Sequence, residues 1–245
     1  MFAQMSSALL QRATIVHPDE TGAPGHRVVD VRITDGVIVE VGDLEAQPGE
    51  STEQLRGHLL LPAAVEPHAH LDKAFLAERI VNESGDLMGA ITAMQANRHL
   101  LDVGETIERA ERAARLMAAN GFCAVRTHAD TTIQHGLRSI EALVDVKRRV
   151  ADVIDVEIVA LCGWPATGAG SVDQRALLRA AMDAGADLVG GVPHLEHDSS
   201  AEREVTEFLL QTATDYGVGV DLHTDETLDP DVLGLVDLAE LTLAG

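Results

Sequence analysis

From residue 63 onward the chain repeats one alternation five times: a short apolar, β-branched run, then a longer stretch with helical spacing. The runs are residues 63–65, 123–125, 156–161, 188–192 and 218–222. Helix patterns at 105–119, 139–150, 174–184, 201–216 and 230–243 follow them, and a further helix at 86–101 falls in the loop after the first run. Strands that alternate with helices form parallel sheets, because joining two parallel strands takes a long crossover. Such strands are nearly continuous in apolar residues because helices cover them. The pattern therefore predicts an α/β fold with five βα units. A closed (β/α)8 barrel needs eight, and five strands also suit an open doubly wound sheet, so patterning alone leaves both architectures open.

Residues 1–62 have a different rhythm and are expected to form a small β-rich domain, with the second domain spanning 63–245. Val28-Val29-Asp30-Val31-Arg32-Ile33 is partly alternating, Asp35-Gly36 is a hairpin turn signal, and Val37-Ile38-Val39-Glu40-Val41 resumes a strand. Residues 46–51, Ala-Gln-Pro-Gly-Glu-Ser, read as a loop.

Charge and cysteine content narrow the function. The 245 residues carry a formal net charge of −22, which repels phosphate backbones and anionic lipid headgroups, so neither nucleic acid nor membrane is expected as a partner. Cys123 and Cys162 are the only cysteines and no CxxC occurs, which excludes a disulfide framework and thiolate zinc sites. The opening MFAQMSSALLQRAT lacks the basic-then-apolar pattern of a signal peptide, and no apolar stretch reaches membrane-spanning length. A cytoplasmic location is expected.

Histidines collect where the runs end. His68 and His70 follow the first, His128 the second, His194 the fourth and His223 the fifth. In a parallel barrel the catalytic side chains gather at the C-terminal ends of strands. A single histidine there is usually a hydrogen-bonded rim residue, but four strands so marked are harder to dismiss. In Glu66-Pro67-His68-Ala69-His70 the two imidazoles are two residues apart, so on an extended strand they share a face and can reach one ion. His223 could be a third ligand. Glu226, three residues on, could stand beside metal-bound water and shuttle its proton, or could serve as an acid at a helix N-terminus before Pro230.

Taken together, Leu60-Leu61-Pro62, Glu66-Pro67-His68-Ala69-His70-Leu71-Asp72, Val125-Arg126-Thr127-His128-Ala129-Asp130, Pro193-His194-Leu195-Glu196 and Asp221-Leu222-His223-Thr224-Asp225-Glu226 resemble the cytosine deaminase branch of the metal-dependent amidohydrolases. The resemblance implies a distorted (β/α)8 barrel with a flanking β domain, here about five of eight units. It implies one divalent metal, Zn2+ or Fe2+, held by His68, His70 and His223, with Glu226 as proton shuttle. It implies hydrolysis of a carbon–nitrogen bond in a cyclic amidine or nitrogen heterocycle, with His128, Asp130, Trp164, His194 and Lys73 as candidate substrate contacts.

The family supplies a further histidine and a final aspartate ligand from later strands, beyond Gly245. A complementing C-terminal segment or a homo-oligomer is therefore expected, and an inactive or split fragment that binds metal or serves as a scaffold is the alternative. Cytosine deaminases also carry a substrate-binding glutamine in a Phe-Pro-Gln segment after the third strand. Here the segment reads Leu161-Cys162-Gly163-Trp164-Pro165, so no amide is present there to pair with a pyrimidine edge.

Overall fold

Residues 7–18 and 23–244 are described by a computed structural model; residues 1–6, which open the segment inspected for a targeting signal, lie outside them. The chain divides into two units, Met1–Ala63 and Ala64–Gly245.

In the first unit β1 (Ser7–Pro18), β2 (Pro24–Thr34) and β3 (Val37–Gly42) form an antiparallel meander, and β4 (Ser51–Gln54) and β5 (Leu59–Leu60) run parallel to β1. Asp35 and Gly36 both have positive φ, 50° and 80°, as the tight hairpin turn requires. Strand alternation alone would leave Asp30 and Arg32 in solvent, yet both are buried beside Val29 and Val31. Each is buried because it is fully partnered. Asp30 accepts hydrogen bonds from the backbone N–H of Leu44 (2.9 Å) and of Arg12 (2.7 Å). Arg12 sits in the β-bulge between Leu10 and Ala13, so the carboxylate satisfies a donor that the ladder leaves free. These bonds hold the Asp30 carboxyl below its ordinary pKa. Arg32 donates to Glu50 (2.8 Å), to Glu40 and to the Glu45 carbonyl (2.7 Å).

The second unit begins with β6 (Ala64–Ala69). Three short 3-10 turns, α1 (Leu87–Asn97) and α2 (Val103–Ala119) separate it from β7 (Phe122–Thr131). Then follow α3 (Arg138–Arg149), β8 (Asp155–Cys162), α4 (Ser171–Asp183), β9 (Leu188–Gly191), α5 (Ser199–Tyr216), β10 (Val220–Leu222) and α6 (Gly234–Ala244). All pairings in the order β10-β9-β8-β7-β6 are parallel. The five strands form a curled, partial barrel: Arg126 on β7 reaches across two intervening strands to Asp221 on β10, at 2.8 Å. The open doubly wound alternative is set aside on this geometry. No helix among the described residues is long and apolar enough to cross a membrane.

Strand boundaries differ from the sequence reading in one systematic way. The expected runs 63–65 and 123–125 are the openings of six- and ten-residue strands, so His68, His128 and Asp130 lie within strands rather than after them. The reason is the two faces of the sheet. On β7, Val125 and Ala129 pack into the helix-covered core, while Arg126, His128 and Asp130 point the other way. A strand that is apolar on one face and charged on the other breaks the continuous run that marked it. On β8, Val156, Ile158, Ala160 and Cys162 pack with Ile140, Leu143 and Val146 of α3 and Leu178, Ala181 and Met182 of α4. Glycine is required on β9: a Cβ at Gly191 would sit 2.5 Å from Leu209 of α5. The helix expected at 230–243 begins only at Gly234. Asp225 caps it, its carboxylate accepting from the N–H of Gly234 (2.6 Å) and of Leu235 (3.1 Å), so the role of N-terminal acid falls to Asp225 and not to Glu226.

The Arg32 hydrogen bond, with help from the Gln47 N–H and the Ser7 hydroxyl, holds the Glu50 carboxyl down at about 2. A carboxylate with a depressed folded pKa contributes stability that is complete above its unfolded pKa and is lost as the pH falls toward 2. Glu50→Gln should therefore weaken hydrogen-exchange protection of the β1, β2 and β4 amides at neutral pH, and the difference from wild type should shrink steadily below about pH 4. A difference that does not change with pH would refute this account of the Arg32–Glu50 pair.

Candidate metal and substrate site

His68 and His70 are brought to the sheet edge by a local irregularity. The β6–β7 register shifts between Glu66 and Ala69, and Pro67, which has no N–H to donate, falls within the shift. The Glu66 carboxylate accepts from the His68 N–H at 3.1 Å. His223 follows β10 directly, and its N–H is held by the Gly191 carbonyl at 3.0 Å. The imidazole nitrogens of His68, His70 and His223 lie within 4.8 Å of one another, although 153 residues separate His70 from His223 in sequence.

His70 and His223 are held in the neutral form that a metal ligand needs. Burial, with the nearby Lys73 ammonium, pushes His70 down to about 3; burial, with His128 and His68 alongside, pushes His223 down to about 4. His70 Nδ1 lies 3.2 Å from the His128 carbonyl. Donation there places the N–H on Nδ1 and leaves Nε2 with its lone pair free, the usual support given to a ligating imidazole. The donor set suits zinc or ferrous ion, each of which favours imidazole.

A cavity of about 460 Å³ opens beside the three imidazoles. Its polar lining comprises the three histidines, Lys73, Arg98, Asp130, Thr132 and Glu226. Its apolar walls come from Leu87, Ile91 and Met94 of α1, and from Leu161, Trp164, Val192 and Leu195. No asparagine or glutamine among the described residues lines it. Lys73 bridges Asp72 and Asp130 at 3.1 and 3.0 Å. Burial works against the ammonium, but the Asp130 and Asp72 carboxylates outweigh it and raise its pKa; Asp130 is lowered in return. Asp72 is itself buried and accepts from the Ser139 hydroxyl at 2.9 Å, which in turn lies 3.0 Å from His135 Nε2.

Of the sequence candidates, His68, His70, His223, Glu226, Lys73, Asp130 and Trp164 line this cavity, whereas His128 and His194 do not. His128 is wholly buried, its ring centroid 4.3 Å from that of His68 and its Nε2 3.2 Å from Asp221. His194 Nδ1 lies 2.9 Å from the His223 carbonyl. Both therefore sit directly behind the imidazoles. Arg98 and the α1 wall escaped sequence reading: α1 is apolar all round, and nothing in its pattern marks a face turned toward a cavity.

No protein-family profile matches the chain. It is 28% identical over 243 residues to the pterin deaminase of Rhizobium rhizogenes, covering 98% of this chain and 54% of that protein. The crystal structure of 5-methylcytosine deaminase from Klebsiella pneumoniae liganded with 5-fluorocytosine superposes with a TM-score of 0.83 at 31% identity, covering 96% of this chain and 55% of that one. N-isopropylammelide isopropylaminohydrolase from Burkholderia multivorans superposes at 0.77 with 27% identity, covering 98% of this chain and 58% of that one. The chain thus spans somewhat over half the length of each of these proteins. With the partial barrel and the histidine constellation, these likenesses make the chain a member of the amidohydrolase superfamily, in its cytosine deaminase-like branch.

Proposed function

We propose that the protein hydrolyses a carbon–nitrogen bond, outside a peptide, in a cyclic amidine or nitrogen heterocycle. The observation that carries this reading is the convergence of His68, His70 and His223 at one side of a largely apolar cavity that Glu226 also lines. The three imidazoles would hold one divalent ion, zinc or iron, which when bound supplies Lewis acidity and draws the pKa of a coordinated water toward about 7. The apolar walls receive the ring and exclude bulk water. Lys73 and Arg98 offer donors to ring oxygens or exocyclic groups, and Asp130, kept ionised by Lys73, accepts from ring or exocyclic N–H. Glu226 takes the proton released as water adds to the ring carbon and returns it to the departing nitrogen, so that the C–N bond breaks to release ammonia or an amine. His128 and His194 steady His70 and His223 through their backbones and side chains.

The similarity to a pterin deaminase, a 5-methylcytosine deaminase and an N-isopropylammelide hydrolase supports the reaction class and leaves the ring open. Within the chain, purified protein should retain zinc through gel filtration, and the His68→Ala, His70→Ala double variant should not, because a lone imidazole is a weak site. Equal metal content in the two would end the proposal for these ligands. Where a complementing segment restores the barrel, Glu226→Gln should lower turnover by about 10²–10⁴-fold with metal content unchanged. Ammonia or amine release across pyrimidines, pterins, triazines and cyclic ureas is the assay, and full activity in the variant would remove the role.

A partner is proposed for the sheet. Among the described strands β6 and β10 each pair on one side only, so both present unpaired backbone donors and acceptors. We expect residues 1–245 expressed alone to be oligomeric or to need a complementing segment, with scaffold or metal binding as the residual role if no segment restores turnover. Light scattering after gel filtration decides the matter: a monomer with a sharp, reversible melt above about 50 °C would overturn it.

A further inference from the structure

One carboxylate ties together two loops that both contribute residues to the cavity. Glu196 follows the 3-10 turn Pro193–Leu195 after β9. Its Oε1 accepts from the Ala166 N–H at 2.6 Å and its Oε2 from the Thr167 hydroxyl at 2.6 Å. Both donors belong to the loop after β8 and are buried, Ala166 to 1% and Thr167 to 5% exposure. Hydrogen bonds this short to an ionised acceptor are of the strong, charge-assisted kind, and two from one carboxylate to neighbouring residues fix orientation as well as distance.

The β8–β9 ladder ends at the Cys162–Gly191 pair, and the Glu196 tie joins the two loops beyond it. The start of the β8 loop is held at Gly163, whose N–H donates to the Thr131 carbonyl at 3.1 Å and where a Cβ would come within 2.8 Å of Thr132. Arg175 Nε donates to the Ala166 carbonyl at 2.8 Å from α4, on the same side. From the segment after β9, Glu196 reaches across to this loop. On its two sides stand the side chains that line the cavity, Trp164 from the β8 loop and Val192 and Leu195 from the β9 segment. An indole and two aliphatic side chains lining one cavity suit a flat ring, and their spacing bears on which ring substituents enter. Glu196 does not line the cavity and acts through Trp164.

We propose that Glu196 is a positioning residue that sets the distance between Trp164 and the Val192 and Leu195 wall, and with it the selectivity for ring substituents. The selectivity rests on the cavity being the substrate site, whereas the positioning does not. Trp164 is the sole tryptophan of the chain, so its fluorescence reports on this part of the cavity without background.

The experiment uses the 245-residue chain, with a complementing segment free of tryptophan where turnover needs one, carrying Glu196→Gln, which places an amide –NH2 against one of the two donors, or Thr167→Val, nearly isosteric, which removes one donor. Both variants should shift Trp164 emission to the red and raise acrylamide quenching about twofold or more, with circular dichroism and zinc content unchanged, since a freed indole becomes more exposed to solvent. On rings that wild type turns over, KM should rise roughly tenfold with kcat within about threefold, and preference among alkylated and unsubstituted rings should fall by a similar factor, as expected for lost uniform binding. Unchanged emission and quenching in the folded variants would overturn the proposal, as would a fall in kcat at constant KM with preference intact. If Glu196→Gln fails to fold, Thr167→Val alone decides. If wild type turns over no ring at all, the hydrolase reading fails, and fluorescence still decides whether Glu196 positions Trp164.

Discussion

The site depends on the division of labour between the two faces of β7. Thr127 and Thr131 are fully buried and, with Val125 and Ala129, seat the strand under its helices, while Arg126, His128 and Asp130 face the concave side. That concave face needs an internal counter-charge system, because charges taken from water must be paired or they destabilise the fold. Arg126 meets Glu157 and Asp221 at 2.6 and 2.8 Å, His128 lies beside Asp221, and Asp130 meets Lys73. The pairs run from β7 to β8, to β10 and to the turn after β6. They therefore help to hold the curvature of the sheet as well as to satisfy one another.

The same network explains how three imidazoles can be crowded together. Their ring centroids lie 4.8–5.6 Å apart, and a fourth ring, His128, stands 4.3–5.5 Å from each of them. Four protonated rings at that spacing would repel strongly. Burial, which depresses the pKa of His70, His128 and His223, keeps those three neutral and lets them coexist without a cation to screen them. The nearby carboxylates are themselves paired, Asp130 with Lys73 and Asp221 with Arg126.

Much of this was legible in the linear chain. The two-residue spacing of His68 and His70 and the Asp35-Gly36 turn each act through local geometry, and each is found where local geometry puts it. Strand length was less legible. Residues 63–65 and 123–125 are only the openings of β6 and β7, because the polar inner face interrupts the apolar signal that continues on the outer one. Glu226 could be read as the acid at a helix N-terminus, but the cap is Asp225, which shows only once α6 is seen to start at Gly234.

By itself the sequence determined the βα alternation, the small β unit, the absence of thiolate and amide chemistry at the expected positions, and the identity of the imidazoles. These follow from periodicity and residue type, which are local. The tertiary structure alone decided that His70 and His223 meet, that α1 supplies an apolar wall and Arg98 a cation to the cavity, and that Glu196 joins the β8 and β9 loops. Such pairings bring together residues 30 to 153 positions apart, and their distances are set by sheet curvature and register, which no short window of sequence encodes.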